Sequence, residues 1–270
     1  MQKTKAKLPV LIISVLVIVA CFLRFFQLLK IPDVNADTIT RYSELSYSVY
    51  AIFAVVFAVT LAMAVKKPII CDVGCSSRRI AVSSLTAAAG MFIDFVNQSF
   101  TCVNYFNNTK YVEYGYIIPL AVSGVFAIIS CYYLICISLT ARGRNLDFRK
   151  FSLLHLSIIL FGVARLITIT TAIVDVRQDI DSSLEFLFLI FIVFMWFGYI
   201  SFMDGSVKSK AVIFTVSSVM SFCIAVVFFV PYLLYAFVNP DGLINGTTVS
   251  AVSYMTMGVF SVALLSKNKN

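Results

Sequence analysis

IAVSSLTAAAGMFIDFVNQSF, residues 80–100, is long and apolar enough to cross a bilayer as a helix. Within it Ser83, Ala87, Gly90, Asp94 and Asn97 recur at steps of four, three, four and three, which places all five on one helical face. Ser83, Ala87 and Gly90 are small enough to admit a second helix closely, whereas Asp94 and Asn97 are polar groups that lipid penalises. The stretch predicts a membrane helix with a packing seam and a polar end.

The rest of the chain repeats the apolar signature. Of 270 residues 60% are hydrophobic and 13% charged, where a soluble domain carries about 25% charged residues; the mean hydropathy is +0.95. Eight stretches can span a hydrocarbon core about 30 Å thick: residues 8–29, 48–65, 80–100, 116–139, 151–174, 184–203, 211–237 and 248–266. The expected fold is all-α, a polytopic transmembrane helical bundle of about eight spans forming a single domain over residues 1–270. Its first partner is the lipid bilayer.

Lys and Arg orient the bundle. Fifteen of the 21 fall in the N-terminal segment, the C-terminal segment and alternate loops, four fall in the other loops, and Arg24 and Arg165 lie within spans. This puts both termini in the cytoplasm and the chain in a plasma membrane as a multi-pass protein. Acidic residues run the opposite way, with Asp33, Asp37, Glu44, Glu113, Asp175, Asp179, Asp181, Glu185 and Asp241 outside or at the outer rim. The net charge of +8 is therefore a topology signal, and no nucleic-acid partner is implied. Lys3, Lys5 and Lys7 before an apolar run, with Ile18-Val19-Ala20-Cys21 like a lipobox, suggest a cleaved leader, but the apolar run continues to residue 29. The segment is expected to stay as a transmembrane helix. A mature N-terminus at Cys21 would overturn that.

Loops are short, the longest outside ones being residues 30–47 and 101–115, and sequons occur at Asn97, Asn107 and Asn245. The seven cysteines are an odd number and mostly lie in or beside apolar segments, so they imply no disulfide framework. Cys71 and Cys75 form a lone C-x3-C with neither a second pair nor a nearby His, which argues against zinc. No metal and no cofactor is expected.

The two halves, 1–140 and 141–270, carry matching tripeptides. Val82-Ser83-Ser84 matches Val216-Ser217-Ser218, and Gly124-Val125-Phe126 matches Gly258-Val259-Phe260, both at an offset of 134. Two parallel four-helix repeats would produce this, and so would chance in a small apolar alphabet. Under the repeat, Ser83 and Ala87 map to Ser217 and Ser221, which keeps a second helix-packing seam. Gly90, Asp94 and Asn97 map to Ile224, Phe228 and Pro231, so the second copy loses the polar end and gains a proline expected to open the helix.

Depth brings the candidate site together. Asp94 and Arg165 lie 14 residues into their spans and Arg24 lies 16 into the first, all roughly 21 to 24 Å from the inner face. Glu185 and Asn97 are nearer the outer face. A charge in hydrocarbon costs on the order of 3 kcal/mol, so such groups pair, line water or bind something. Asp94 with Arg165 or Arg24 is the expected pair, either as a structural ion pair or as a ligand site with Asn97 and Glu185. Tyr42, Tyr47, Tyr50, Tyr105, Tyr111, Tyr114, Tyr116, Tyr232, Tyr235 and Tyr254, ten of 13 tyrosines, crowd toward the outside, as a one-sided interfacial belt or a recognition surface.

Catalytic signatures are sparse. His155, the one histidine, falls near the inner end of the fifth span, where it is expected as an interfacial polar group. H-E-x-x-H, G-x-S-x-G and G-x-x-x-x-G-K-S/T are missing, so enzymatic activity is not the expected role. Trp196 and the phenylalanines of the sixth span read as lipid-facing or core bulk.

Leu23-Arg24-Phe25-Phe26-Gln27-Leu28-Leu29 followed by Asp33 resembles the opening of uncharacterised multi-spanning membrane proteins of clostridia-like bacteria. In those an Asp-rich turn with Thr-Gly-Phe follows, and here Ile31-Pro32-Asp33-Val34 departs from it. The resemblance implies a bacterial plasma membrane and brings no activity. The leading expectation is binding or transport of a small solute or lipid headgroup at the outer-half polar cluster. The alternative is a non-catalytic membrane subunit or sensor whose small-residue seams recruit a membrane-protein partner.

Overall fold

The computed structural model describes residues 7–30, 38–69, 77–108, 113–144, 152–173, 180–203, 208–238 and 246–265. Among them are eight α-helices and no strand: α1 (Lys7–Lys30), α2 (Thr38–Lys66), α3 (Arg78–Asn108), α4 (Tyr114–Ala141), α5 (Ser152–Ile173), α6 (Ile180–Met203), α7 (Lys208–Val238) and α8 (Gly246–Leu265). The first seven are each long and apolar enough to cross a membrane, and α8 adds the shorter apolar stretch Val249–Leu265. The Cys71/Cys75 pair and the Asn245 sequon lie outside the described residues.

Two helices run further than hydropathy indicates. α2 begins at Thr38 instead of residue 48, and α3 continues to Asn108 instead of residue 100. Hydropathy stops where the hydrocarbon stops, but the backbone keeps its internal hydrogen bonds beyond that point. At 1.5 Å per residue the 31 residues of α3 reach about 46 Å, well beyond a 30 Å core. α7 also runs unbroken through Pro231 to Val238, so the proline does not open the helix. One lost N–H is tolerated where the neighbouring turns remain packed.

Six helices close a ring. α3 packs on α4, α4 on α5, α5 on α6, α6 on α7, α7 on α8, and α8 returns to α3. α1 and α2 pair with each other and lie against α7, outside the ring. Odd-numbered helices start at one end, here termed the lower end, where Lys66, Lys67, Arg78, Arg79, Arg142, Arg144 and Lys210 gather. The outward side of α1, with Leu8, Leu11, Val15, Ile18 and Phe22, is apolar and exposed, as a lipid-facing helix requires.

Small residues set the closest approaches. A Cβ on Gly90 would overlap the Thr256 hydroxyl of α8 and sit 3.2 Å from Thr256 Cβ and 3.3 Å from Ser253 Cα. Ser253 Oγ donates to the Gly90 carbonyl at 2.8 Å. Between α7 and α8, a Cβ on Gly258 would come within 2.9 Å of Ala225 Cβ, and the Ser221 and Ser261 hydroxyls are 3.0 Å apart. Ser83, Ala87, Gly90, Ser217 and Ser221 are all buried. The matched glycines occupy different registers: Gly258 faces Phe222 and Ala225, while Gly124 faces Phe95 and Gln98. At the offset of 134, Phe222 and Ala225 correspond to Ala88 and Met91, about two turns away.

Candidate functional site

Side chains that meet across the ring, from helices that are not ring neighbours, mark its interior. In the upper half α3, α4, α5, α6 and α8 contribute polar groups. Arg165 Nε of α5 binds Glu185 Oε1 of α6 at 2.8 Å, and the Tyr254 hydroxyl of α8 donates to the same carboxylate oxygen. Tyr254 is held by Phe188 at a ring-centroid distance of 4.6 Å and by Phe228 at 6.0 Å. On α3, Gln98 Nε2 donates to Asp94 Oδ2, and Ser123 of α4 donates to Gln98 Oε1. Asp94 is 0% exposed, and its Oδ1 accepts no hydrogen bond. Arg165, Glu185 and Tyr254 all lie within Coulombic reach of it.

Asp94 is therefore not the ion-pair partner of either arginine. Arg165 takes Glu185 and Arg24 takes Asp181, while the direct partner of Asp94 is the neutral amide one turn along its own helix. Counting residues along each span carried no information on which way each helix is rotated. Asn97 is half-buried, one turn above Asp94.

A second cluster repeats the chemistry outside the ring. Asp181 of α6 receives Arg24 of α1 and the Tyr232 hydroxyl of α7. Arg24 Nη1 also reaches Gln27 Oε1 at 3.1 Å, and Gln27 Nε2 donates to Ser46 Oγ of α2 at 3.1 Å. Asp181 and Glu185 are four residues apart near the start of α6, and the helix dipole favours the first-turn carboxylate of Asp181. Each carboxylate is matched by one guanidinium and one phenol. Tyr254, Tyr232, Gln98, Ser123 and Asp181 were not singled out by sequence as site residues; the i, i+4 carboxylates were the available signal.

The lower half of the interior is aromatic. Tyr133 Oη and His155 Nδ1 are 2.5 Å apart, and Trp196 lies against Tyr133, Tyr199 and Phe260 at centroid distances of 5.8, 5.1 and 6.0 Å. His155 is buried within the bundle, its ring against Tyr133 of α4. Trp196 and Phe188 are core residues, whereas Phe194 and Phe197 are half exposed. The outer tyrosines divide likewise: Tyr254 is buried, and Tyr47 and Tyr114 are exposed.

Among the described residues no group of three or more His, Cys, Asp or Glu side chains could hold a metal ion. Tyr254→Phe keeps the ring packing and removes one donor to Glu185, so it should destabilise the purified protein by about 1.5–3 kcal/mol, measured as a lowered denaturation midpoint. An unchanged midpoint would show that the phenol bond contributes nothing. No family model, curated protein or solved structure matches the chain.

Proposed function

We propose that this integral membrane protein binds, and in its working cycle carries, a small solute or lipid headgroup at the upper polar cluster of the six-helix ring. The observation that supports it is the union of charge and hydrogen-bonding capacity inside the ring, where Asp94 and Tyr254 are buried and the Arg165–Glu185 pair is part-buried. Buried ionisable groups in a membrane bundle mark solute or ion pathways, because each is costly unless it is matched. The aromatic packing around Trp196 closes the ring below, which suits a binding site reached from the upper end better than an open pore. In this reading α8 is the eighth span, the lower end faces the cytoplasm, and the membrane is a bacterial plasma membrane.

The partner-subunit reading relied on free small-residue seams. Gly90 is covered by Thr256 and Ser253, and Ser221 meets Ser261, so α8 of the same chain already fills both. That leaves the interior cluster as the better-supported seat of function.

The test is a thermal-shift screen of the purified protein against small polar solutes and glycerophosphodiester headgroups. A ligand held at 100 times its Kd stabilises by about 2.7 kcal/mol, a shift of several degrees. At least one compound should shift the wild type and leave the Arg165→Gln/Glu185→Gln double variant unshifted. A compound that stabilises both equally, or none that stabilises the wild type, rejects the reading.

A further inference from the structure

With all three groups ionised, the interior cluster holds two carboxylates, Asp94 and Glu185, and one guanidinium, Arg165. Glu185 takes the guanidinium and a phenol, so its charge is matched. Asp94 receives a single neutral amide donor, on Oδ2, and its Oδ1 is buried without a partner. An uncompensated carboxylate in hydrocarbon is the costly arrangement, and one positive charge delivered to Oδ1 would remove the cost.

The hydroxyls of α8 nearest this face of α3 are engaged elsewhere. Gly90, one turn below Asp94 on the same face, presents its carbonyl to the Ser253 hydroxyl at 2.8 Å, and the Thr256 hydroxyl donates to the Ser253 carbonyl at 2.7 Å. Each hydroxyl uses its proton in these bonds, so neither donates to Asp94. Groups facing Asp94 from the surrounding helices are Arg165 of α5, Glu185 of α6 and Tyr254 of α8, and α4 adds the neutral Ser123 through Gln98. Arg165 is the single cation of that set and is already bound to Glu185.

We propose that Asp94 Oδ1 is the seat of one monovalent cation, a proton or an alkali ion, bound beside the solute position. This rests on the solute-binding reading for its role as the coupling charge, but binding of the cation itself does not require a solute. Cation binding neutralises Asp94, leaves the Arg165–Glu185 pair intact and brings the cluster to zero net charge. No covalent step is involved.

The experiment follows the unfolding of purified full-length protein by Trp196 fluorescence, without solute. Sodium chloride is exchanged for choline chloride at constant ionic strength in one arm, and pH is varied at fixed sodium in the other. Wild type should gain several degrees in midpoint with sodium if the ion is alkali, or on acidification if it is a proton. Asp94→Asn should lose that response, and Glu113→Gln, at an exposed carboxylate away from the cluster, should keep it. A wild type that responds to neither arm overturns the proposal even if Asp94→Asn does not fold, and so does an equal response in wild type and Asp94→Asn. A cation response with no solute found in the screen leaves this site standing and the solute reading rejected. Solute binding with no cation response does the reverse.

Discussion

Gly90→Leu should yield no folded protein, and Gly90→Ala should cost about 1–3 kcal/mol of stability through overpacking against α8. The Cβ alone already overlaps the Thr256 hydroxyl and stands 3.3 Å from the Ser253 backbone, so relief requires α8 to move away. Thr256 cannot simply rotate clear, because its hydroxyl donates at 2.7 Å to the Ser253 carbonyl and its branched Cβ is itself 3.2 Å from the added atom. Thr256→Ala should recover part of the Gly90→Ala loss. Fluorescence-detected size exclusion gives the yield for the leucine variant, and thermal denaturation gives the alanine cycle; a monodisperse Gly90→Leu protein with a wild-type midpoint would refute the close approach.

Arg165→Gln should be the other large change, costing at most about 3–5 kcal/mol, because it leaves the part-buried Glu185 with one phenol as its direct donor. Glu185→Gln should cost less, because it removes the direct partner of Arg165 but leaves the Asp94 carboxylate nearby. The double Arg165→Gln/Glu185→Gln variant removes both charges together and should recover most of the loss, as neutral replacements of buried pairs do. The recovered variant then separates stability from function, since its fold returns while solute binding does not. If the two single losses simply add in the double variant, the pair makes no energetic unit and the account of the cluster fails.

Much of this architecture was legible one helix at a time. Long apolar runs announced the helices, the steps at Ser83, Ala87, Gly90 and Asp94 announced the buried face of α3, and counting along each span put Arg165 level with Asp94. What hydropathy does not encode is which helices are neighbours and how each is rotated. Glu185 therefore took Arg165, and Asp181, which reads as a rim carboxylate, took Arg24. The polar extensions of α2 and α3 were hidden for a different reason, since residues 38–47 and 101–108 keep helical hydrogen bonds after leaving the apolar register. Tyr254 was visible only as one of a crowd of outer tyrosines, and burial against Phe188 and Phe228 is what sets it apart.

The ring is sealed by contacts between α3 and α8, where Ser253 meets Gly90 across 163 positions of chain. A ribosome adding about 5–20 residues per second needs roughly 8 to 33 s to make that much polypeptide. Throughout that interval α3 sits in the membrane with Gly90 and Asp94 still lacking the helix that will cover them. Non-local closure of this kind is slow and leaves sticky surfaces exposed to other nascent chains. Biogenesis of this protein therefore has a vulnerable window of its own, and substitutions in α8 should reduce its yield in cells more than their effect on the finished fold would suggest.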